Sequence, residues 1–273
     1  MKFKNYIKQK IQKFYDIGSP YFLEFWGEHI HDGYYITGKE SKHEAQENLI
    51  QFLSEKAAIQ RGARILDVGC GIGGTSIYLS KNFDAITIGI TISQVQVEMA
   101  KKFAHQRNIN CSFQVMDAEQ MDFPKPFDII WMVGVLTHLT DQKRFLKQSS
   151  KFLNKKGKFV LLDWMIAEDI TSSENNYIRK VSHGMLIPNF YSMNTYLKWF
   201  IKYGYRIAYA EDITGHTIKT WDVMLSIIKK PSLWKLAYQR GIEFINLFKS
   251  ISAMKHSMKD RKIKCCAIVA EKI

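Results

Sequence analysis

Residues 64–76 read Arg64-Ile-Leu-Asp-Val-Gly-Cys-Gly-Ile-Gly-Gly-Thr-Ser76. The first five residues have strand character. Gly69, Gly71, Gly73 and Gly74 then crowd into a short loop. A helical pattern follows from about Thr75 to Lys81. A glycine loop in this setting lies at the carboxyl end of the first strand of an open, doubly wound sheet, where ligands bind. The glycines let the backbone turn tightly and let a ligand approach it closely. A plain structural turn is the alternative, and the strand–turn–helix context argues against it.

Working outward, the same alternation continues. Ala85–Ile90 reads as a second strand and Ser93 to Gln106 as a helix. Cys111 to Met116 is a third strand and Phe127 to Met132 a fourth. A helix from Asp141 to Leu153 follows. Gly157 marks the turn into a fifth strand, Phe159 to Leu162. This order predicts an α/β fold: a doubly wound, seven-stranded, mostly parallel sheet with helices on both faces. Upstream, apolar spacing predicts a helix over 5–15 that Gly18-Ser-Pro20 ends. The aromatic, histidine-rich stretch 25–35 reads as loop, and 44–58 as a second helix. Downstream, 165–192 is an irregular connection with short helices. Asn194 to Tyr203 is a helix, Arg206 to Ala210 a sixth strand, a helical stretch of about fifty residues follows, and Lys264 to Ala270 is the last strand. The expected organisation is one domain over 1–273, with a helical cap at 1–60, a cofactor-binding core at 61–165 and a substrate-side lid with the final strands at 166–273.

Composition narrows the class. Hydrophobic residues make up 46% of 273, which supports a real core and excludes a disordered chain. No apolar run reaches membrane-spanning length. The first residues alternate charge with apolar groups and lack a signal-peptide pattern, so a cytoplasmic protein is expected. The four cysteines have no metal-ligand spacing and no carboxylate cluster is evident, so no metal is expected. Cys265 and Cys266 are neighbours whose side chains leave a strand on opposite faces. The net charge of +13 fits a nucleic acid, an anionic membrane or an anionic substrate, or simply a lysine-rich surface.

The glycine loop alone does not fix the ligand. Gly69, Gly71 and Gly74 also satisfy the dinucleotide fingerprint. Three features tilt the choice towards an adenosyl sulfonium. About sixty residues precede the loop. The second strand ends Gly89-Ile-Thr91 without the acid that holds a dinucleotide ribose. A helical excursion separates the last two strands.

Asp67-Val-Gly-Cys-Gly-Ile-Gly-Gly-Thr-Ser76, with Gly89-Ile-Thr-Ile-Ser-Gln-Val-Gln96, resembles the class I S-adenosylmethionine-dependent methyltransferases. Trp26-Gly-Glu-His-Ile-His-Asp-Gly-Tyr34 is most similar to the gamma-tocopherol methyltransferase group, with sterol C-methyltransferases and cyclopropane fatty acid synthases as more distant relatives. Ile187-Pro188 and Ser192 to Leu197 resemble the later substrate-side segment of that group. The resemblance implies S-adenosylmethionine as cofactor and S-adenosylhomocysteine as product. It implies Gly69 and Gly71 along the methionine and ribose, and Thr91 and Gln96 at the ribose hydroxyls. Asp117 and Ala118 would meet the adenine, and Val133 would pass under the methionine. Tyr15 and Tyr34 would close over the cofactor, and Asp67, Cys70, Ile92 and His138 belong to the same side. The acceptor side would draw on His29, His31, Trp164 and Tyr191, with Asp163 on the same rim.

The implied reaction is displacement at a sulfonium methyl carbon, for which approach geometry is the main requirement. His138, in Leu136-Thr-His-Leu139, is the candidate general base. The tocopherol group carries carboxylates in this loop where the present chain has Gly134 and Thr137. The acceptor is therefore read as a small lipophilic or aromatic molecule, methylated at carbon or nitrogen, rather than as tocopherol itself. The charge motivates a nucleic-acid methyltransferase as the alternative. The Trp131-Met-Val-Gly-Val135 segment lacks the Asn/Asp-Pro-Pro-aromatic loop of base-methylating enzymes, and no added nucleic-acid module is visible, so no nucleic-acid partner is expected. A second alternative is lipid modification of the cyclopropane-synthase kind. The tryptophan- and lysine-bearing helical excursion suggests a lid with peripheral membrane contact.

Overall fold

The computed structural model describes residues 2–170 and 175–273. Seven strands form one sheet: β1 (Arg64–Val68), β2 (Ile86–Thr91), β3 (Cys111–Val115), β4 (Phe127–Val133), β5 (Leu153–Ile166), β6 (Tyr205–Asp212) and β7 (Ile263–Lys272). Their order is β3-β2-β1-β4-β5-β7-β6. β7 runs antiparallel to β5 and β6, and the remaining pairs are parallel. The doubly wound, mostly parallel sheet expected from the sequence is the fold observed. Chain order reverses across β1 and β4, which opens a crevice at their carboxyl ends.

The helices are α1 (Lys2–Phe25), α2 (Lys42–Ala57), α3 (Gly74–Phe83), α4 (Gln94–Gln106), α5 (Gln142–Ser149), α6 (Asn176–Gly184), α7 (Met193–Lys202), α8 (Thr214–Thr217), α9 (Lys219–Ile227), α10 (Pro231–Arg240) and α11 (Ile242–Lys259). Alternate strand residues feed two cores. Ile65, Trp131, Val160 and Cys265 pack with residues of α2, α6 and α11. Leu66, Met132, Leu161 and Cys266 pack with residues of α5 and α7 on the other face. Cys265 and Cys266 thus separate as strand alternation requires. α2 begins at a capping box: the Ser41 hydroxyl accepts from the Glu44 N–H, and the Glu44 carboxylate accepts from the Ser41 N–H. Such a cap is worth about 1 kcal/mol.

Two local readings are corrected. α1 does not end at Gly18 but runs to Phe25 with Pro20 inside it. A proline inside a helix costs about 3 kcal/mol, and tertiary packing offsets that here. A β-carbon on Gly18 would lie 2.9 Å from the Phe22 ring and 3.3 Å from that of Phe244, so this glycine is a contact point for α11. The turn expected at Gly157 is a bulge inside the bounds of β5: pairing with β4 jumps from Leu153 opposite Phe127 to Lys158 opposite Ile129, and the left-handed residue is Lys156, at φ 64°. Positions 171–174 of the irregular connection lie outside the described residues. Among the described residues no helix is long and apolar enough to cross a membrane.

Candidate active site

The glycine loop is tied to the end of β2, because the N–H groups of Gly69 and Cys70 both donate to the Ile90 carbonyl, at 2.8 and 3.0 Å. Gly69 (φ +73°) and Gly71 (φ +53°) are both left-handed. A β-carbon on Gly69 would collide with Val135 at 2.3 Å, whereas one on Gly71 would meet only Ile30 Cδ1, at 3.9 Å. The Gly71 backbone therefore faces open space, the bare surface that a ligand can approach.

That space is a cavity of about 800 Å³ at the carboxyl ends of β1, β2 and β4. Tyr15, Gly69, Gly71, Thr91, Ile92, Gln96, Asp117, Ala118, Val133 and His138 line it, all of them expected on the cofactor side. Thr91 donates to Gln96 Oε1 at 2.6 Å, and no described residue accepts from the Gln96 amide nitrogen. Asp117 Oδ1 accepts from the Glu119 N–H at 2.9 Å, and its Oδ2 accepts from Lys8 Nζ at 2.5 Å.

Three expected residues lie elsewhere. Asp67 is buried behind the loop, accepting from the Ser76 hydroxyl at 2.6 Å, and burial pushes its carboxyl up to about 6. Cys70 packs inward with Val97, Ala100 and Phe113. Tyr34 stacks between Phe52 and His216, with ring centroids 4.5 and 4.3 Å away. None of the three lines the cavity.

A second cavity, of about 860 Å³, adjoins the first and shares Tyr15, Ile30, Val133, Gly134 and His138 with it. Its walls are mainly aromatic and aliphatic, with Trp26, Trp164 and Trp221 among them, and they include His31, Asp32 and Asp163. Of the residues expected on the acceptor side, His31 and Trp164 are here. His29 is buried near His31 and His43, and Tyr191 packs on Trp199 and Tyr196; neither lines the cavity. A wholly apolar third cavity, of about 580 Å³, continues from Phe22, Trp26, Met224 and Leu247.

Tyr15 and His138 stand at the wall between the first two cavities. His138 Nδ1 lies 3.2 Å from the Leu186 carbonyl, which can only accept, so Nδ1 carries the proton. Nε2 therefore accepts from the Tyr15 hydroxyl, at 3.1 Å. Burial holds the imidazole below its ordinary value and pushes the Tyr15 phenol up to about 12, with the Asp163 charge adding to the latter. The pair is neutral at rest. Its loop is braced by Asp163, which accepts from the Thr137 N–H at 3.0 Å and the Thr137 hydroxyl at 2.8 Å. Thr137, one of the two departures in this loop, thus has a bracing role.

Residues 3–266 match the family model described as mycolic acid cyclopropane synthetase. The chain belongs to this family. It is a class I S-adenosylmethionine-dependent methyltransferase. It is 27% identical over 247 residues to a probable chloroplastic tocopherol O-methyltransferase of Oryza sativa subsp. japonica, covering 84% of this chain and 67% of that protein. It is 27% identical over 215 residues to a 27-O-demethylrifamycin SV methyltransferase of Amycolatopsis mediterranei, covering 78% of this chain and 79% of that protein. The cyclopropane synthase MmaA2 of Mycobacterium tuberculosis shares the fold at TM-score 0.85 and 18% identity, over 97% of this chain and 98% of that one.

The methyltransferase's first cavity suits S-adenosylmethionine chemically. Gly71 leaves its backbone open, Gln96 has a free donor, and Ile11, Ile30, Ile90 and Met116 offer apolar walls. Among the described residues its one lysine or arginine is Lys8, which is paired with Asp117 and, at 2.7 Å, with Glu119. No unpaired cation is left for a pyrophosphate, and none repels a sulfonium. Sequence reading missed Lys8 and Ile11. Their spacing to Tyr15 (i, i+3, i+7) puts all three on one helical face, which is the signal that could have found them.

Proposed function

We propose that the first cavity holds S-adenosylmethionine and the second holds a small lipophilic acceptor, with the methyl group passing at the wall they share. The observation that carries this reading is the five-residue boundary of Tyr15, Ile30, Val133, Gly134 and His138. S-adenosylmethionine, when bound, supplies an electrophilic methyl carbon. The chain's own part is orientation: two adjoining, mainly apolar chambers hold the reactants side by side and exclude water. Such positioning is worth up to roughly 7–11 kcal/mol. An acceptor that must lose a proton gives it to the Tyr15 oxygen as the Tyr15 proton moves to His138 Nε2, which leaves the charge on the imidazole. Asp163 steadies that loop.

Gln96 and Thr91 are read as ribose contacts and Asp117 as the adenine acceptor. Gly69, Ile92, Ala118 and Val133 complete the cofactor wall. His31 and Trp164 are read as acceptor contacts. The apolar third cavity gives room for a hydrophobic tail, which favours a lipophilic acceptor and keeps a lipid-modifying reaction as the second reading. The cap at 1–60, core at 61–165 and lid at 166–273 form one domain in this reading. Tyr238 and Ile242 are exposed beside Lys235 and Arg240, which supports peripheral contact of the lid with an anionic membrane.

The test is methyl transfer from isotopically labelled S-adenosylmethionine to phenols, quinols, indoles, amines and fatty acyl lipids. The reading predicts turnover with a lipophilic member of this set and saturable S-adenosylhomocysteine binding. Absence of cofactor binding at millimolar concentration would sink it.

A further inference from the structure

We propose that the second cavity is a receptor for a protonated amine, with the Asp32 carboxylate as its counter-ion, so that the methyl acceptor carries an ammonium group on a lipophilic or aromatic body. This rests on reading that cavity as the acceptor site.

Asp32 is 5% exposed and sits on the loop between α1 and α2. The loop is pinned on both sides. The Gly33 N–H donates to the Thr220 hydroxyl at 3.0 Å, and Gln46 donates to the His29 carbonyl at 2.5 Å. Asp32 Oδ2 accepts from the Trp164 indole N–H at 2.8 Å, with the Cys265 thiol 3.7 Å away. No described residue donates to Oδ1. The other carboxyl on this wall, Asp163, is different: it takes the Thr137 N–H, the Thr137 hydroxyl and the Trp164 N–H. Asp32 is thus the acid with unused capacity.

Nothing on the wall neutralises it. Among the described residues, no lysine or arginine lines this cavity. His31 donates through Nδ1 to the Asp32 carbonyl at 2.7 Å, so its buried Nε2 is a lone pair without a partner. Burial lowers His31 to about 4, so it adds no positive charge near neutrality. Burial raises Asp32 to about 6 and the nearby Asp163 charge adds to the rise, while the Trp164 N–H and the Cys265 thiol on Oδ2 favour the carboxylate form. An unpaired carboxylate in an apolar chamber is costly. A ligand ammonium supplies both the missing charge and the missing donor. The surrounding Trp164 and Trp221 rings suit the same ligand, because aromatic faces attract cations, whereas Trp26 already carries Lys42 Nζ over its ring at 4.9 Å. A neutral alcohol head would give Oδ1 one hydrogen bond and leave the charge uncompensated.

Titration calorimetry on the full chain, saturated with S-adenosylhomocysteine at about pH 7.5, compares matched ligands. The pairs are tryptamine with tryptophol, phenethylamine with 2-phenylethanol, and decylamine with 1-decanol. In at least one pair the amine should bind about tenfold or more tighter than the alcohol. Asp32→Asn should remove that preference and Asp32→Glu should keep part of it. S-adenosylhomocysteine affinity and thermal unfolding serve as the check on folding. If Asp32→Asn does not fold, Asp32→Ser is the second uncharged replacement, and the wild-type comparison decides without either variant. Alcohols that match or exceed their amines in every pair overturn the assignment, as does a preference that survives loss of the charge. Cofactor binding and turnover of a phenol without any amine preference would end this assignment and leave the methyltransferase reading standing. Failure to bind S-adenosylhomocysteine would end that reading instead.

Discussion

Replacing Gly71 with alanine should separate ligand approach from stability, and Gly69 is the control beside it. Gly71 has φ +53°, and a left-handed conformation costs an L-residue roughly 1–2 kcal/mol. Its new methyl would touch only Ile30 Cδ1, at 3.9 Å, so packing adds nothing. Gly71→Ala should therefore lose about 1–2 kcal/mol of stability. The methyl would stand in the cofactor cavity, and S-adenosylhomocysteine affinity should fall by about tenfold or more, equivalent to about 1.4 kcal/mol. Gly69→Ala carries the same strain, at φ +73°, and also drives a β-carbon to 2.3 Å from Val135 Cγ2 and 2.7 Å from its Cγ1. Overpacking of this kind adds about 1–3 kcal/mol, for a total of about 2–5. Urea unfolding and calorimetric titration measure the two quantities independently. A Gly71→Ala protein that binds the ligand like wild type, or one destabilised as much as Gly69→Ala, refutes the placement of the cofactor against Gly71.

Three further outcomes follow from the same geometry. His138→Ala should lower kcat by about a hundredfold for an acceptor that loses a proton, with S-adenosylhomocysteine still binding; unchanged turnover removes His138 from the reaction. Lys8→Ala breaks the ties from α1 to Asp117 and Glu119. These are partly exposed pairs, so stability should fall by no more than about 1 kcal/mol, while faster S-adenosylhomocysteine release in stopped-flow would mark Lys8 as a latch; an unchanged rate counts against that role. Asp67 has its folded carboxyl raised to about 6, so its ionised form is disfavoured in the folded state. That penalty is absent below about pH 4, grows as pH rises, and is complete above about pH 6, at about 3 kcal/mol. Asp67→Asn cannot ionise and its side-chain carbonyl still accepts from Ser76. Its stability relative to wild type should therefore increase between those pH values in urea unfolding, and parallel curves would contradict the burial argument.

Elements with short-range signals were readable in the sequence. β1 has the bounds expected for it, because an apolar run meets glycines at a sharp edge. Ser41, Ser93 and Asp141 cap α2, α4 and α5 within a few residues of the expected starts. The sheet's last strands were legible because Cys265 to Ala270 is almost continuously apolar, as a strand buried on both faces must be. Side-chain direction was not readable. Asp67 and Cys70 belong to the motif by position, yet one points to Ser76 and the other to Ala100 and Phe113, away from the cavity. Tyr34 shares a loop with His31 but turns to Phe52 and His216. Lys8 meets Asp117 across 109 positions, and no local pattern announces such a contact.

The continuity of α1 bears most on how the two cavities act together. Ile11, Tyr15, Gly18 and Phe22 follow at intervals of four, three and four, so they form one stripe. The stripe roofs both chambers: Lys8, Ile11 and Tyr15 line the first, and Phe14, Tyr15 and Phe22 the second. A helix that stopped at Gly18 would free Phe22 from Tyr15 and divide the roof at the wall where transfer is proposed. Gly18 prevents this by having no side chain, since Phe244 of α11 closes to where a β-carbon would sit. Ser19 reinforces the same turn by donating to the Tyr15 carbonyl at 2.6 Å. Glycine and proline, which locally favour a break, are thus overruled by packing along α1, where Phe14 stacks on Phe244 and Gly18 admits the same ring, and that packing keeps a single helix over both chambers.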